Sequence, residues 1–359
     1  MTKPPLQHPG DPHSLPLPRL ASIDLLRAVA VLMVATAHFG RAFSAGTAQF
    51  CADYGKLGVE VFFVISGYVI PYSLARSGYS LGPGNFGPLQ VFAAKRFLRI
   101  HPPYLAALAL TLAITWPWRH ALGLPQVDTW GSLAQSAAYL HFPSDNPVFW
   151  SLLVELEYYA LIAFIFPLLA HRRLAVGMAT FGALLLLARV AGEPGDAFHL
   201  PQYLPRFAVG FAVFCFTEGR IGWRRLALLL AGLWLWDRSG PEATAALLTG
   251  LAIAAFAKCG TWHREDHLPP VLAPLLFIGA ISYSFFLVHL PVGGKILIAL
   301  RFLLGPGEAW GFPVFLAALA GATGMAFVFY RLVEAPCHRL AGRMGTQKET
   351  PSAPPHSDA

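Results

Sequence analysis

The sequence predicts an all-α integral membrane protein with about ten transmembrane helices and both termini in the cytoplasm. Of its 359 residues, 55% are hydrophobic and 13% are charged, whereas soluble domains carry about 25% charged residues. The hydrophobic residues form long runs, and a run of about 20 residues can cross a bilayer as a helix. Short clusters of basic residues separate these runs, which is typical of membrane proteins with positively charged cytoplasmic loops.

Ten apolar runs are interpreted as membrane spans. They lie at 20–43, 56–75, 91–117, 147–170, 173–191, 201–218, 222–238, 241–258, 279–304 and 310–334. A segment at 130–142 is too short to span and is expected to form a re-entrant or interfacial helix. We expect one membrane-embedded domain over residues 19–340. A disordered, proline-rich cytoplasmic leader at 1–18 and a disordered cytoplasmic tail at 341–359 are expected to flank it.

The basic residues predict the orientation of these spans. With both termini inside, 17 lysines and arginines fall on the cytoplasmic side and 7 on the outer side, while Arg27 and Arg206 lie within spans. Cytoplasmic loops carry the excess of lysine and arginine. We therefore expect both termini to be cytoplasmic and the protein to reside in the inner (plasma) membrane.

Charge and cysteine spacing argue against several other classes of protein. The net charge of +7 comes from clusters between apolar runs, whereas nucleic-acid binding requires a continuous basic face. The four cysteines, Cys51, Cys215, Cys259 and Cys337, lack the close spacing of a zinc site or a disulfide framework. We predict no nucleic-acid partner, no metal site and no tightly bound cofactor.

The first span carries ionisable side chains where they are costly. Arg27 and His38 are eleven residues apart, so they share one helix face and lie about 16 Å apart along its axis. A charged residue within a span costs at least about 2.5–3.5 kcal/mol and normally faces protein or a water-filled cavity. Asp24 shares this face and is a candidate ion-pair partner of Arg27. These residues either serve packing alone or line one path through the membrane.

Basic residues also open the third span, in the sequence KRFLRIHPPY. Lys95, Arg96 and Arg99 either anchor the helix at the cytoplasmic surface or clamp an anion, because guanidinium groups suit phosphate oxygens. Pro102 and Pro103 follow directly and are expected to break or kink the helix at the membrane boundary.

Polar residues recur in the second and fourth spans. Ser66 lies among glycines of the second span, where small residues allow helices to approach closely, so packing and function are both open. In the fourth span, Ser151 and Glu155 share a face, and Glu157 points away from Glu155. At least one of the two glutamates is expected to face a polar interior.

The two last spans carry the remaining polar motifs. Ser282 and His289 are one heptad apart in ISYSFFLVH and share a face, with Tyr283 between them. A lone histidine in such a place is more often a hydrogen-bonded core residue. Arg331 and Glu334, near the end of the last span, are a candidate ion pair at the cytoplasmic surface.

Taken together, these motifs resemble the acyltransferase 3 family of integral membrane O-acyltransferases, which includes acetylases of O-antigen and exopolysaccharide. The resemblance covers roughly residues 20 to 340 and rests on IDLLRAVAVLMVATAH, GVEVFFVISGY, KRFLRIHPPY, WSLLVELEYY, ISYSFFLVH and VEAP, in that order. Leu25, Glu60, Phe286 and Ala335 depart from the family's commonest pattern. None of these positions is expected to do chemistry, so they bear more on the choice of substrate.

The resemblance implies transfer of an acyl group, usually acetyl, from cytoplasmic acyl-CoA to a hydroxyl of a carbohydrate or glycolipid. Arg96 and Arg99 would hold the phosphates of CoA, and His38 would accept the proton of the acceptor hydroxyl. Arg27 would stabilise negative charge on the donor, and Glu155 would orient His38 or hold the acceptor. The other polar residues are assigned to substrate binding: Asp24, Ser66, Ser151, Tyr283 and His289.

Two other functions would use the same residues. A polytopic transporter of a small molecule or lipid-linked sugar would employ the intramembrane charges as a relay. A catalytically inactive membrane partner protein would keep the fold alone. Neither alternative predicts that the purified protein releases free CoA from acetyl-CoA, so this measurement discriminates among the three.

Overall fold

The computed structural model describes residues 20–82, 84–190, 199–238, 240–259, 268–305 and 307–344. Over these ranges the chain is helical, and its strand-like pairing is limited to an isolated bridge between Gly82 and Asn85. The α-helices of the described ranges are α1 Ala21–Phe39, α2 Ala45–Gly55, α3 Gly58–Arg76, α4 Gly87–Ala121, α5 Trp130–Ala137, α6 Trp150–Leu169, α7 Leu174–Val190, α8 Leu200–Thr217, α9 Trp223–Trp236, α10 Pro241–Cys259, α11 Ala273–Ala280, α12 Ser282–His289, α13 Lys295–Leu304, α14 Gly311–Phe329 and α15 Ala335–Arg343.

The helical membrane class is confirmed, whereas the count of ten spans stays a prediction. Seven helices of the described ranges are long and apolar enough to cross a membrane. They cover Ala21–Ala42, Ala45–Arg76, Gly87–Ala121, Pro147–Leu169, Pro241–Cys259, Ser282–Leu304 and Glu308–Arg343. The other three predicted spans coincide with α7, α8 and α9, which are not among these seven. Helix α7 has 17 residues and α9 has 14, so they are short for a membrane of ordinary thickness.

Of the predicted break or kink at Pro102 and Pro103, helix α4 excludes the break, and the kink stays a prediction. The helix runs unbroken for 35 residues, with both prolines in its interior. A proline removes one backbone hydrogen bond, but neighbouring segments in a membrane bundle can compensate for it. Tyr104, directly after the prolines, is fully buried, and its hydroxyl donates a 2.5 Å hydrogen bond to the carbonyl oxygen of Ser136.

Helix α5 is the short helix expected at 130–142, and it runs back along α4. Its first residue, Trp130, packs against Trp116, with ring centroids 4.8 Å apart. Ser136, near its other end, accepts the hydrogen bond from Tyr104. Trp116 and Tyr104 are twelve residues apart on α4, which corresponds to about 18 Å. The segment therefore has the course of a re-entrant helix.

Helices α3 and α8 pack closely because glycines lie at their contact. A Cβ atom on Gly67 would lie 2.2 Å from the carbonyl oxygen of Phe207, and one on Gly210 would lie 2.1 Å from that of Val64. Small residues allow such backbone contact between membrane helices. The glycine at position 67 therefore serves packing, which was one of the two interpretations of the second span.

Glu157 has a structural role in the start of α8. Its carboxylate accepts hydrogen bonds from the backbone N–H groups of His199, at 3.1 Å, and Leu200, at 2.6 Å. The first N–H groups of a helix have no partner within the helix, and the helix dipole favours a negative charge there. Glu157 therefore caps α8 from another helix, which explains why the fourth span carries a second glutamate.

The two C-terminal spans contain π-helical turns. One turn, Leu290–Gly294, directly follows α12, and the other, Tyr330–Glu334, joins α14 to α15. Such turns are rare and are often found at functional sites. Helix α15 ends at Arg343, three residues beyond the predicted domain end at 340. The predicted leader at 1–18 and residues 345–359 of the predicted tail lie outside the described residues.

Candidate active site

Two cavities with charged and polar residues in their walls adjoin each other within the helical bundle. The smaller cavity has a volume of about 110 Å³ and is named the arginine cavity. Its polar lining consists of Arg27, Ser66, Arg96, Arg99, Ser151, Glu155, Tyr159, Ser282 and Tyr283. The larger cavity has a volume of about 930 Å³ and is named the histidine cavity. Its polar and charged lining consists of His38, Arg41, Lys56, Glu60, Arg189, Gln202, Tyr203, Arg206, Asp237, Arg238 and Glu242.

The two cavities follow one another along the helix axes. On α1, Arg27 lines the arginine cavity and His38 lines the histidine cavity. On α3 the order along the chain is reversed, since Glu60 lines the histidine cavity and Ser66 the arginine cavity. Because α1 and α3 run in opposite directions through the bundle, both helices place the two cavities in the same order along the bundle axis. Arg27 and His38 therefore line two adjoining cavities at different depths along α1.

Two apolar side chains form the junction between the cavities. Val59 and Phe286 line both of them. The ring of Phe286 meets the ring of Phe62 edge to face, with centroids 6.0 Å apart. Phe286 was noted from the sequence only as a departure from the family's pattern. The structure shows that this departure lies where the two cavities adjoin.

A carboxylate and a tyrosine hold the guanidinium groups of the arginine cavity. Glu155 accepts a 3.2 Å hydrogen bond from the Ser66 hydroxyl and a short one from the Tyr159 hydroxyl. The guanidinium carbon of Arg96 lies 5.2 Å from the centroid of the Tyr159 ring and 5.3 Å from that of Phe92. Arginine is attracted to aromatic faces at such distances. Arg96 is therefore built into the cavity wall, with its guanidinium against two neighbouring rings.

Arg27 is surrounded by charges from several helices. It interacts favourably with Asp24, Glu155 and Glu334, and unfavourably with Arg99. Glu334 itself accepts hydrogen bonds from the backbone N–H and the hydroxyl of Ser284, at 3.1 and 2.5 Å. Sequence reasoning placed Glu334 in a pair with Arg331 at the membrane surface. The structure instead buries Glu334 near Arg27, a position set by the π-helical turn that it ends.

The remaining predicted residues of the arginine cavity differ in their hydrogen bonding. Ser151 donates to the carbonyl oxygen of Val148 at 3.1 Å, and Tyr283 donates to that of Ile100 at 3.0 Å. The Ser282 hydroxyl is buried in the cavity wall without a hydrogen-bond partner in the described part of the chain. Buried polar groups are normally paired, so this hydroxyl is available to a bound molecule.

The histidine cavity contains a charge cluster that sequence reasoning missed. Arg206 Nε lies 2.9 Å from a Glu60 carboxylate oxygen, and another of its nitrogens lies 2.8 Å from Asp237. Lys56 and Glu242 form a looser pair at 3.5 Å. Arg206 had been counted only as a charge within a span. A buried arginine in a span needs a carboxylate partner, and that rule was the available signal.

Aromatic rings form another part of the histidine cavity. Trp150, Tyr203 and Trp236 all line it. The rings of Trp150 and Tyr203 lie with their centroids 5.2 Å apart and their planes inclined by 33°. Cavities that bind small molecules commonly combine such aromatic walls with a few polar groups. Its volume of about 930 Å³ lies within the range of cavities that bind small molecules.

His38 and His289 meet at the edge of the histidine cavity. Their ring centroids are 5.2 Å apart. His289 is fully buried, and its Nδ1 lies 2.8 Å from the carbonyl oxygen of Phe286. The sequence placed these histidines in different spans without linking them. Their contact joins α1 to α12.

The structure brings most of the predicted site residues together. Seven of them line the arginine cavity: Arg27, Ser66, Arg96, Arg99, Ser151, Glu155 and Tyr283. His38 lines the adjoining cavity, His289 contacts His38, and Asp24 lies within electrostatic range of Arg27. Glu155 accepts hydrogen bonds from Ser66 and Tyr159. It lines the arginine cavity, whereas His38 lines the histidine cavity. This geometry does not support the expectation that Glu155 orients His38.

The fold and the two cavities define a polytopic membrane protein with a polar site inside its helical bundle. The chain belongs to the acyltransferase 3 family, because the family's model (Acyl_transf_3, an acyltransferase domain) matches residues 20–331. The match confirms the resemblance to this family and covers five of the six sequence motifs, while VEAP, at residues 333–336, lies just beyond it. The protein is therefore an acyltransferase of the membrane.

Several known proteins are similar to this chain at low identity. BcsY of Komagataeibacter xylinus, a membrane-bound transacylase by name, is 26% identical over 322 aligned positions, which cover 77% of this chain and 73% of BcsY. The O-acetyltransferase OatA of Staphylococcus aureus (strain NCTC 8325 / PS 47) is 24% identical over 379 positions, which cover 89% of this chain and 57% of OatA. The chain thus spans little more than half the length of OatA. No solved structure matches the chain significantly.

Proposed function

We propose that the protein transfers an acyl group, acetyl in the usual case, from cytoplasmic acyl-CoA to a hydroxyl of a cell-surface or lipid-linked carbohydrate. The observation that carries this proposal is the junction of an arginine-lined cavity and a histidine-lined cavity at Val59 and Phe286. In the proposed orientation, in the inner (plasma) membrane, the arginine cavity faces the cytoplasm. The histidine cavity then faces the outer side.

The arginine cavity supports a phosphate-bearing donor. Arg27, Arg96 and Arg99 line one small space with a single carboxylate, Glu155. Guanidinium groups bind phosphate oxygens through paired hydrogen bonds. In the proposed complex these arginines hold the phosphates of CoA, and the thioester end points toward Phe286. Ser66 and Tyr159 hold Glu155 while the donor site is empty.

The histidine cavity supports a carbohydrate acceptor. The faces of Trp150, Tyr203 and Trp236 offer apolar surface to a sugar ring, and the surrounding charged residues offer hydrogen bonds to its hydroxyls. OatA, a relative of this chain, is named an O-acetyltransferase, which supports an oxygen acceptor. A hydroxyl bound in this cavity lies on the same path as the donor's thioester.

His38 is the proposed general base of the reaction. Its ring takes the proton of the acceptor hydroxyl while the hydroxyl oxygen forms a bond to the thioester carbonyl carbon. The carbon–sulfur bond then breaks, and the proton passes from His38 to the sulfur of the departing CoA. Histidine suits this role because its unperturbed pKa is near neutral pH. An acyl-enzyme intermediate is a second route to the same products, and both routes use His38.

Release of CoA by the purified protein tests the proposal. Membrane-reconstituted protein given acetyl-CoA and surface glycans should release CoA and form base-labile esters. The His38→Ala variant should lose about 10²–10⁴-fold of this activity, the usual contribution of a general base. His120→Ala, at an exposed position of α4, is the control and should keep full activity. Full activity in His38→Ala, or no CoA release by the unmodified protein, would contradict the proposed function.

A further inference from the structure

We propose that His289 is a positioning residue for His38. In this arrangement Nε2 of His289 accepts a hydrogen bond from the His38 ring and so determines which His38 nitrogen faces the histidine cavity. The proposal rests on the proposed function, in which His38 takes the proton of the acceptor hydroxyl. It assigns to His289 a task that differs from the substrate binding expected from the sequence.

The hydrogen bonds of His289 determine the position of its proton. Nδ1 lies 2.8 Å from the carbonyl oxygen of Phe286 and 3.2 Å from that of Phe285. A carbonyl oxygen can only accept a hydrogen bond, so Nδ1 carries the hydrogen. In a neutral imidazole the other nitrogen is then an acceptor. Nε2 of His289 therefore presents a lone pair.

That lone pair has no hydrogen-bond partner among the described residues, and Nε2 is buried. Burial of an unpaired acceptor is unfavourable, and such groups in native proteins often mark a functional site. A water molecule or the His38 ring could satisfy it. The surroundings favour His38.

The surroundings of His289 are otherwise apolar. Phe39, Phe285 and Phe286 place their ring centroids 6.0, 5.8 and 6.0 Å from that of His289. The fourth ring, that of His38, is closest, at 5.2 Å. It is also the one ring of the four that carries a hydrogen-bond donor. The separation of the two rings is short enough for a hydrogen bond between a His38 nitrogen and Nε2 when the two nitrogens point toward each other.

The backbone fixes the distance between the two histidines. A Cβ atom on Gly293, in the π-helical turn after His289, would lie 2.3 Å from the Phe39 ring. The side-chain amide of Asn146 donates a 3.0 Å hydrogen bond to the carbonyl oxygen of Leu287. Gly293 thus lets the turn after His289 pack directly against α1, and Asn146, just before α6, holds the backbone on the other side of His289. His38 itself interacts electrostatically with Arg41, which lies on the next turn of the chain.

The proposed hydrogen bond would prepare His38 for catalysis. When one His38 nitrogen donates its hydrogen bond to His289 and keeps its hydrogen, the other nitrogen has a free lone pair that faces the histidine cavity. Only that tautomer can accept a proton from the acceptor hydroxyl. His289 does not touch substrate in this arrangement. It acts through His38, as the orienting residue of a catalytic triad acts through its histidine.

Three variants test the proposal in the reconstituted protein. His289→Phe fits a pocket of phenylalanines but lacks an acceptor, so kcat should fall about 10–100-fold, within the contribution of a general base. The KM for acetyl-CoA should stay unchanged, because the donor site lies in the other cavity. His289→Gln offers an amide oxygen to His38 and should restore most of kcat. The exposed-site variant His120→Phe controls for the substitution itself.

The outcomes separate this proposal from the proposed function. Loss of kcat in His289→Phe with rescue by His289→Gln supports the positioning role. Wild-type kcat in His289→Phe, or equal loss in both variants, overturns it, even if His38→Ala is inactive. Should His289→Phe fail to fold, ¹⁵N NMR of histidine-labelled protein, assigned against His289→Gln, decides the matter. In His289, a hydrogen on Nε2 and none on Nδ1 would overturn the proposal. A hydrogen on Nδ1 and none on Nε2 supports it.

Discussion

The Ser66 hydroxyl donates a 3.2 Å hydrogen bond to the Glu155 carboxylate and so joins α3 to α6 across the arginine cavity. Glu155 also accepts a hydrogen bond from Tyr159, whose ring lies against the guanidinium of Arg96. The carboxylate is thus part of a network that supports the arginines. Its negative charge offsets part of the positive charge in a small, poorly solvated space.

Replacement of Arg99 should weaken binding of the donor. If the guanidinium contributes one charge-assisted hydrogen bond of about 1.5–3 kcal/mol, Arg99→Ala should lower kcat/KM for acyl-CoA about 10–150-fold. Arg99→Lys should raise the KM for acyl-CoA, because lysine keeps the charge but not the planar pair of donors. Steady-state kinetics of the reconstituted variants give both values.

Lys95 provides a matched control for Arg99. It lies one turn earlier on α4 but is not part of the described cavity lining. Lys95→Ala should leave the KM for acyl-CoA unchanged. Wild-type donor kinetics in both Arg99 variants would mean that this arginine only anchors the helix, and the donor site would then lie elsewhere.

Phe286 should keep acyl transfer separate from hydrolysis. A smaller side chain in Phe286→Leu widens the junction, so water from the histidine cavity reaches the thioester. We expect the ratio of acyl-CoA hydrolysis to acyl transfer to rise about tenfold, which corresponds to a change of about 1.4 kcal/mol in relative barriers. Phe277→Leu, at a partly exposed position of α11, should keep the wild-type ratio. An unchanged ratio in Phe286→Leu would show that this ring does not limit access of water.

The orientation of the protein can be tested by labelling from outside. Phe50 on α2 is 62% exposed, and the predicted topology places it on the outer side. In a cysteine-free background, Phe50→Cys should react with a membrane-impermeant thiol reagent in intact cells. A reporter fused after residue 345 should be active in the cytoplasm. The opposite pattern would direct the arginine cavity away from the cytoplasmic acyl-CoA pool.

Asp145 should make stability depend on pH at the acidic end. Burial raises the pKa of Asp145, but hydrogen bonds from Arg119, at 2.9 Å, and Lys295, at 3.0 Å, outweigh burial and hold the pKa below its ordinary value of 3.8. Stability from a lowered carboxyl pKa is present above the ordinary value and is lost as the pH falls through the folded value. Asp145→Asn should therefore lower Tm at pH 7.

The difference in Tm between wild type and Asp145→Asn should shrink once the pH falls below about 4. Thermal unfolding in detergent across this range measures it. Asp53→Asn removes an exposed carboxylate on α2 and should change Tm little at any pH. A pH-independent difference for Asp145→Asn would mean that its ion pairs contribute no net stability.

The helix period explains which site features the sequence could predict. Arg27 and His38 share a face because eleven residues make nearly three turns, and each of them lines one of the two adjoining cavities. Ser151 and Glu155, four residues apart, likewise share a cavity. Such inferences stay within one helix, so they need no knowledge of how helices pack.

Relations between distant helices could not be predicted in this way. The partners Arg206 and Glu60 are 146 residues apart, and no local pattern links them. The meeting of His38 and His289 depends on how α12 packs against α1, and the burial of Glu334 depends on a π-helical turn. The continuity of α4 through Pro102 could not be predicted either, because the tendency of proline to end a helix was overridden by the surrounding structure.

The spacing of Arg27 and His38 also makes the first helix a molecular ruler. In the proposed reaction, the phosphates are held near Arg27 and the acyl carbon must reach His38, about 16 Å farther along the helix axis. In acetyl phosphate the acyl group is bonded directly to the phosphate. Such a donor is too short to reach from Arg27 to His38. A thioester at the end of a long flexible arm can do so. The enzyme would thus select its donor by length as well as by charge.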